Sequence, residues 1–340
     1  MRKAIVIALM FGALVGEAQD IHFSQFNETP MHLNPAYTGL FDGLFRVNLN
    51  YKSQWSAMGN PYKTTAGAFD MSIGAAKNRP YLGVGAFLYK DQAGDSKFGT
   101  FQGLVSTSAM VPLNDHNKLS VGIQGGYGQR SATTNGLTWE NQYVNGAHDP
   151  DLPSNETNLV SSFPYVDFSA GIAYQYRSIA GSLVGKDVFE IQAGLAGFHL
   201  NKPAQKFYSG SGTRLDPRYA AHVQIRFDIP DTRWSVRPGG YFMKQGLATE
   251  TVVGSMIRFR IKNGTKVTNF FSESGVAFGC HYRVKDAIIP QLYYDLGDFF
   301  IGVSYDVNIS KYVQASRYNG GFEFTLRYAN LNGALYKNKR

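Results

Sequence analysis

The chain has a single cysteine, Cys280, in 340 residues. That excludes an intrachain disulfide framework and any multi-thiolate metal site, and leaves Cys280 to be read as a small apolar strand residue. Charge is scarce as well, with Asp, Glu, Lys and Arg making up 17% of the chain. The formal balance is +8, but Lys and Arg are scattered instead of forming the stripe that nucleic acid requires, so no nucleic-acid partner is expected. After the first residues no apolar run approaches the roughly 20 residues of a membrane helix, and no stretch carries a long helical stripe. Chemical motifs are missing too. His116, His199, His222 and His281 are candidate bases, yet no GxSxG elbow or HExxH accompanies them, so neither catalytic residues nor enzymatic activity is expected. "NQYVNGAHDPDLPSNE" gathers His148, Asp149, Asp151 and Glu156 without the spacing of a calcium loop and reads as a solvated turn. No metal and no cofactor is expected.

What is present begins with export. "MRKAIVIALMFGALVGEAQD" places Arg2 and Lys3 before an apolar core, Ala4 to Val15, and ends in a small-residue site at Gly16-Glu17-Ala18. This reads as a secretory signal peptide over residues 1–18. The apolar core is too short to span a bilayer.

Alternation dominates the remainder. In "FRVNLNYK" Phe45, Val47, Leu49 and Tyr51 take one parity, and Arg46, Asn48, Asn50 and Lys52 the other. A strand's period of two sends the sets to opposite faces. Further windows fall near 62–73, 81–90, 99–111, 118–130, 164–177, 187–199, 218–228, 233–243, 249–261, 275–284, 287–295, 299–309 and 321–329. Those near 81, 233 and 287 alternate poorly. The count, about fourteen, decides the architecture: a barrel of about eight strands is already just filled by side chains, so a wider one holds water or a plug. Windows of this length also match the roughly 9–11 residues that cross a bilayer at a tilt. The reading is therefore all-β, a transmembrane antiparallel barrel over residues 44–329 with a C-terminal tail at 330–340. Apolar positions face the lipid of an outer membrane, and a wet lumen is lined by Arg46, Arg226, Arg237, Arg258, Arg260, Glu323 and Arg327, with Asp70, Gln124, Glu190, Arg283 and Asp306 on the same parity. Tyr51, Tyr89, Tyr176, Phe299 and Tyr328 are placed as girdle aromatics. The glycines of "GIQGGYGQ" read as strand glycines used for curvature or close approach.

Two segments break the pattern. Residues 19–43, opening "QDIHFSQFNETPMHLNPAYTGLF", neither alternate nor show a helical stripe. A wide polar lumen would leak, so this segment is expected to act as a plug, Pro30 and Pro35 fixing its path and Phe23, Phe26 and Tyr37 packing it down around Asn34 and Ala36. The long connection from about Ser131 to Phe163 carries Trp139 and Tyr143, candidates for holding a protein partner.

Residues Gln19 to Trp55, from the Gln-Asp start through "HFSQF" and Asn34-Pro35-Ala36 to "YKSQW", resemble the start of the PorP/SprF family of type IX secretion proteins. "GVSYDVNISKYVQASRYNGGFEFTLRY", Gly302 to Tyr328, is similar to that family's closing hairpin, and "YVDFSAGIAYQY" and "GLAGFHLNKPAQKF" to its middle strands. "RSIAGSLVGKDVFE" departs from the pattern by inserting residues between two strands. The resemblance implies an outer-membrane barrel of the Bacteroidetes that assists export or surface anchoring of a large secreted adhesin through its C-terminal domain, often in gliding motility. It also implies contacts with type IX components on the periplasmic side. The alternative is a transport channel of the fatty-acid-transporter type, with which Asn34-Pro35-Ala36 is also shared.

Overall fold

The computed structural model describes residues 20–330 apart from 57–59, 76–77, 95, 134–136, 145, 156–160, 182–185, 207–212, 263–272 and 311–312. The expected signal peptide and almost all of the tail lie outside the described residues. The strands are β1 (Phe45–Gln54), β2 (Tyr62–Ile73), β3 (Tyr81–Ala93), β4 (Phe98–Pro112), β5 (Asn117–Ser131), β8 (Ser162–Gly181), β9 (Lys186–Phe198), β10 (Arg218–Asp228), β11 (Trp234–Gln245), β12 (Ala248–Lys262), β13 (Ser274–Arg283), β14 (Ala287–Leu296), β15 (Phe299–Asn308) and β16 (Asn319–Ala329). Two short pieces, β6 (Tyr143–Val144) and β7 (Ala147–His148), form a separate ladder in the long loop.

Fourteen strands close one antiparallel barrel in which each pairs with its neighbours in sequence. Closure comes from β1 against β16, from Arg46↔Ala329 to Gln54↔Gly321. A closed ladder leaves no unpaired strand edge, the condition for crossing lipid. The three poor windows are strands β3, β11 and β14, and their patterns are blurred by Gly83 and Gly85, by Pro238 with Gly239 and Gly240, and by Pro290.

Burial is inverted relative to a water-soluble protein. Val105 is 69% exposed and Leu195 61%, on the outside, whereas Lys52 and Glu323 are each 1% exposed, on the inside. Charged groups are almost never fully buried unless paired, and an apolar outer band suits a barrel set in lipid. Connections 132–161, 199–217 and 309–318 belong to one end, and the shorter connections 113–116, 229–233 and 297–298 to the other, where the connection from Lys262 to Ser274 is long for an inner turn. Long loops belong outside and short turns in the periplasm, which sets the orientation used below. Within "RSIAGSLVGKDVFE", β8 runs to Gly181 and β9 starts at Lys186, at the inner end, and residues 182–185 lie outside the described residues.

The girdle expectation needs one correction. Tyr89 is buried inside the barrel and donates from its hydroxyl to Gln102 Oε1 at 2.6 Å. β3 continues to Ala93, so Tyr89 is not terminal, and it shares the inward parity of Phe87. An outward band does run along the inner rim, where Phe299 and Phe45 lie 5.0 and 5.7 Å from Tyr328, and Tyr176 lies 5.9 Å from Phe189.

Candidate functional site: the occupied lumen

Residues 20–41 lie within the barrel. Asp20 is at the outer end, beside His199, Arg218 and Gln245. The chain descends through a 3-10 turn (Phe26–Glu28), doubles back through a single helical turn (Pro30–Leu33) that brings His32 beside Ile21 and Arg218, and descends again through a second 3-10 turn (Pro35–Tyr37). It reaches the inner mouth, where the Arg46 guanidinium lies 4.5 Å over the Phe41 ring, and turns there into β1. Both prolines open a turn, where the missing N–H costs nothing.

Each apolar residue expected in this segment has a wall to pack against. Phe23 and Met31 cluster with Ala66, Phe87, Tyr89 and Leu104 of β2 to β4. Phe26 meets Tyr241 and His281 edge-on at 5.0 and 5.4 Å, and Tyr37 reaches His222 Nδ1 at 3.1 Å through its hydroxyl. Burying such a side chain contributes about 1.5–3 kcal/mol.

Asn34 does most to fix the segment. Its Oδ1 accepts from Ala36 N at 2.8 Å, capping the turn. Its Nδ2 donates to the wall carbonyls of Ile172 and Leu195 at 3.0 and 3.2 Å and lies 3.1 Å from His222 Nε2. Contacts this close need a bare wall. A Cβ on Gly171 would stand 2.0 Å from Asn34 Oδ1, and one on Gly122 2.5 Å from the Pro35 carbonyl. Gly122 is the first glycine of "GIQGGYGQ", so close approach is its use.

Polar residues complete the docking. The Glu323 carboxylate accepts from the backbone N–H groups of Ser24 and Gln25 at 2.7 and 3.0 Å. Ser24 Oγ donates to Asp306 at 2.6 Å, and Asp306 also pairs with Arg283 at 2.9 Å and Lys52 at 3.6 Å. Lower down, Arg327 pairs with Glu28 at 2.7 Å, and Asn48 donates to the Glu28 carbonyl at 2.9 Å. Gly39 N donates to Asp70, which holds Arg46 through two bonds of 2.9 and 2.8 Å. The other expected lining residues form ion pairs near the inner mouth. Arg226 binds Asp228 through two bonds, Arg258 pairs with Asp295 and Glu273, and Arg260 with Asp228. Arg237 lines a polar cavity there. Sequence reasoning missed Ser24, Gln25, Glu28, His32 and Thr38, because apart from Asn34 it looked for a plug among apolar residues. The signal was the polar Ser24-Gln25 pair between Phe23 and Phe26.

At the outer end, His199 stands just after β9 between two carboxylates, with Nε2 on Asp20 and Nδ1 2.9 Å from Asp167. Burial disfavours its charge, but Asp20 and Asp167 override this and raise its pKa to about 9. The Asp20 carboxyl is held well below the usual range: burial opposes this, and His199, Arg218 and Arg130 outweigh it. His32 is pushed down to about 3, by burial first and then by Arg218. His22 is also lowered, by burial and then Lys52.

The long loop is separate from the lumen. Trp139, half-buried, precedes a 3-10 turn (Glu140–Gln142), and Gln142 folds the loop back by donating to Leu152 O at 2.9 Å. Tyr143 is exposed, its ring 5.4 Å from His148. Among the described residues no group of three or more His, Cys, Asp or Glu is placed to hold a metal.

The profile of the family described as type IX secretion system membrane protein PorP/SprF matches residues 15–328. The chain belongs to this family. No curated protein matches. Among solved structures, BamA from Haemophilus ducreyi lacking POTRA domains 1–3 is 11% identical with a TM-score of 0.43, covering 84% of this chain and 70% of that one. A TodX deletion variant, a monoaromatic hydrocarbon channel, is 9% identical with a TM-score of 0.45, covering 87% and 92%. An outer-membrane channel from Pseudomonas putida is 10% identical with a TM-score of 0.38, covering 92% and 99%. By its family and its closed, outwardly apolar barrel, this PorP/SprF protein is an outer-membrane barrel of the type IX secretion system.

Proposed function

We propose that this PorP/SprF protein is a non-enzymatic accessory of type IX secretion that assists export of a large secreted adhesin and anchors its C-terminal domain at the surface of gliding Bacteroidetes. The observation that carries this reading is the occupied lumen. A segment bonded to strands on opposite sides of the barrel takes up lumen space that a threading polypeptide would need, which supports reading the barrel as a platform beside the translocation route. Trp139 and Tyr143, on the outer loop, are the proposed contact for the adhesin domain, since aromatics dominate binding hot spots. The inner mouth faces the periplasmic components of the machinery.

Gene deletion tests this reading. One large adhesin is expected to disappear from the cell surface by immunofluorescence while general secretion continues, and affinity purification from solubilised outer membrane should recover that adhesin with type IX components. Unchanged adhesin display in the deletion strain contradicts it. A second reading, passive solute transport of the fatty-acid-transporter type, is disfavoured by the same filled lumen. It predicts solute flux into liposomes that hold the pure protein.

A further inference from the structure

Among the described residues, the lipid-facing wall has a hollow. Between β8 and β12 the outward positions turn small at Ala193, Ala221 and Gly240, while Leu195, Phe242 and Val253 stand around them. The apolar hollow they enclose measures about 880 Å³, within the roughly 300–1,000 Å³ of ligand sites. Behind the same wall, a polar cavity of about 390 Å³ lies at the inner mouth, lined in part by Gln224, Arg226 and Arg237. Ile225 and Pro238 border both spaces.

The wall lacks a ladder bond between those two residues. The β10–β11 register runs to Gln224↔Gly239 and resumes only at Phe227↔Val236. Pro238 has no N–H to offer the opposite strand, and proline inside a sheet removes a ladder bond. Pro290 interrupts β14–β15 in the same way but borders neither space. On the lumen side Arg226 is satisfied by Asp228. Arg237 differs, its Nε being buried with no hydrogen-bond partner among the described residues.

An apolar hollow in contact with lipid, a missing ladder bond and, behind it, a buried guanidinium nitrogen without a hydrogen-bond partner together specify an amphiphile with an acidic head. We propose that the β10–β11 seam binds a long-chain carboxylic acid, its chain in the outer hollow and its carboxylate reaching Arg237 through the gap between Ile225 and Pro238. Neighbouring strands lie about 4.8 Å apart, so parting them at one missing bond admits a single chain and excludes a two-chain lipid. The arginine fork suits a carboxylate, which it binds through paired charge-assisted hydrogen bonds. The site is independent of adhesin anchoring.

The test uses the mature protein in nanodiscs with a palmitic acid analogue that carries a photoreactive group at its chain end. Saturable labelling of Leu195, Val223, Phe242 or Val253 is expected, displaced by palmitate and not by its methyl ester. Arg237→Gln should weaken displacement by about tenfold or more, the value of a charge-assisted bond. Ala221→Phe, which fills the hollow and leaves the lumen untouched, should abolish site labelling while heat-modifiable gel migration reports a folded barrel. A staple beside the gap made by Phe227→Cys with Val236→Cys, which are paired across the strands and leave Pro238 in place, in a Cys280→Ser background, should remove the effect of Arg237→Gln when oxidised and restore it when reduced. Even labelling around the barrel, equal displacement by the methyl ester, or a staple without effect overturns the proposal.

Discussion

At the scale of single residues, Asn34 and the ionisable groups around the N-terminal segment decide whether that segment stays inside. Asn34→Ala strands the Ala36 N–H and the wall partners of Nδ2, which costs about 1–3 kcal/mol where a buried polar group loses its partner. The expected readout is faster hydrogen exchange across residues 20–41, with the strands unchanged. Docking should also depend on pH, with two opposite signs. Released His32 takes up a proton below its ordinary value of about 6.5, but docked His32 does so only near 3. Docking therefore weakens progressively as pH falls below about 6.5, and lowered His22 adds to this. Asp20 acts in the same direction, because its contribution is present above the ordinary carboxylate value of about 4 and is lost as acid neutralises it. His199 acts in reverse. Its contribution is complete below about 6.5 and is lost as pH rises through about 9. Exchange protection of residues 20–41 should therefore peak near pH 6.5 and fall on both sides; a flat profile from pH 4 to 10 contradicts the assigned charges.

At the scale of elements, the strands were readable because the period of two survives wherever the two faces meet different solvents. Arg226 between Ile225 and Phe227, and Glu323 between Phe322 and Phe324, are legible without coordinates for that reason. Legibility fails where backbone needs replace side-chain chemistry. Gly171 and Gly122 carry no facing signal, yet they are bare because Asn34 and Pro35 press on them. Tyr89 was misassigned because an aromatic at an apparent strand end looks the same facing lipid or lumen. In the N-terminal segment, Phe23, Phe26 and Tyr37 were legible as packing residues. Ser24, Glu28 and His32 were not, because their partners Glu323, Arg327 and Arg218 lie 299, 299 and 186 residues away in the chain. Gly122→Val and Gly171→Val should leave barrel closure intact by circular dichroism and heat-modifiable migration. They should also open residues 20–41 to protease from outside, since a side chain at either position would have to displace the turn at Asn34 and Pro35. Protection equal to wild type in both variants contradicts the described close approach.

At the scale of the whole molecule, the inverted burial is a statement about solvent: lipid outside, a satisfied polar interior within. Val223→Arg, facing lipid at mid-strand, should lower unfolding stability in liposomes by about 2–4 kcal/mol. Arg226→Gln, on the inner face of the same strand, should cost much less, because Asp228 keeps Arg260 at 3.4 Å. Equal costs would mean that the two faces are wrongly assigned. The central claim is a closed cylinder sealed by its own N-terminal segment, and planar-bilayer conductance tests it most directly. The full protein is predicted to be silent, and a variant lacking residues 20–41 to conduct ions in discrete steps. Steady conductance by the full protein, or silence of a folded truncated barrel, would contradict the account.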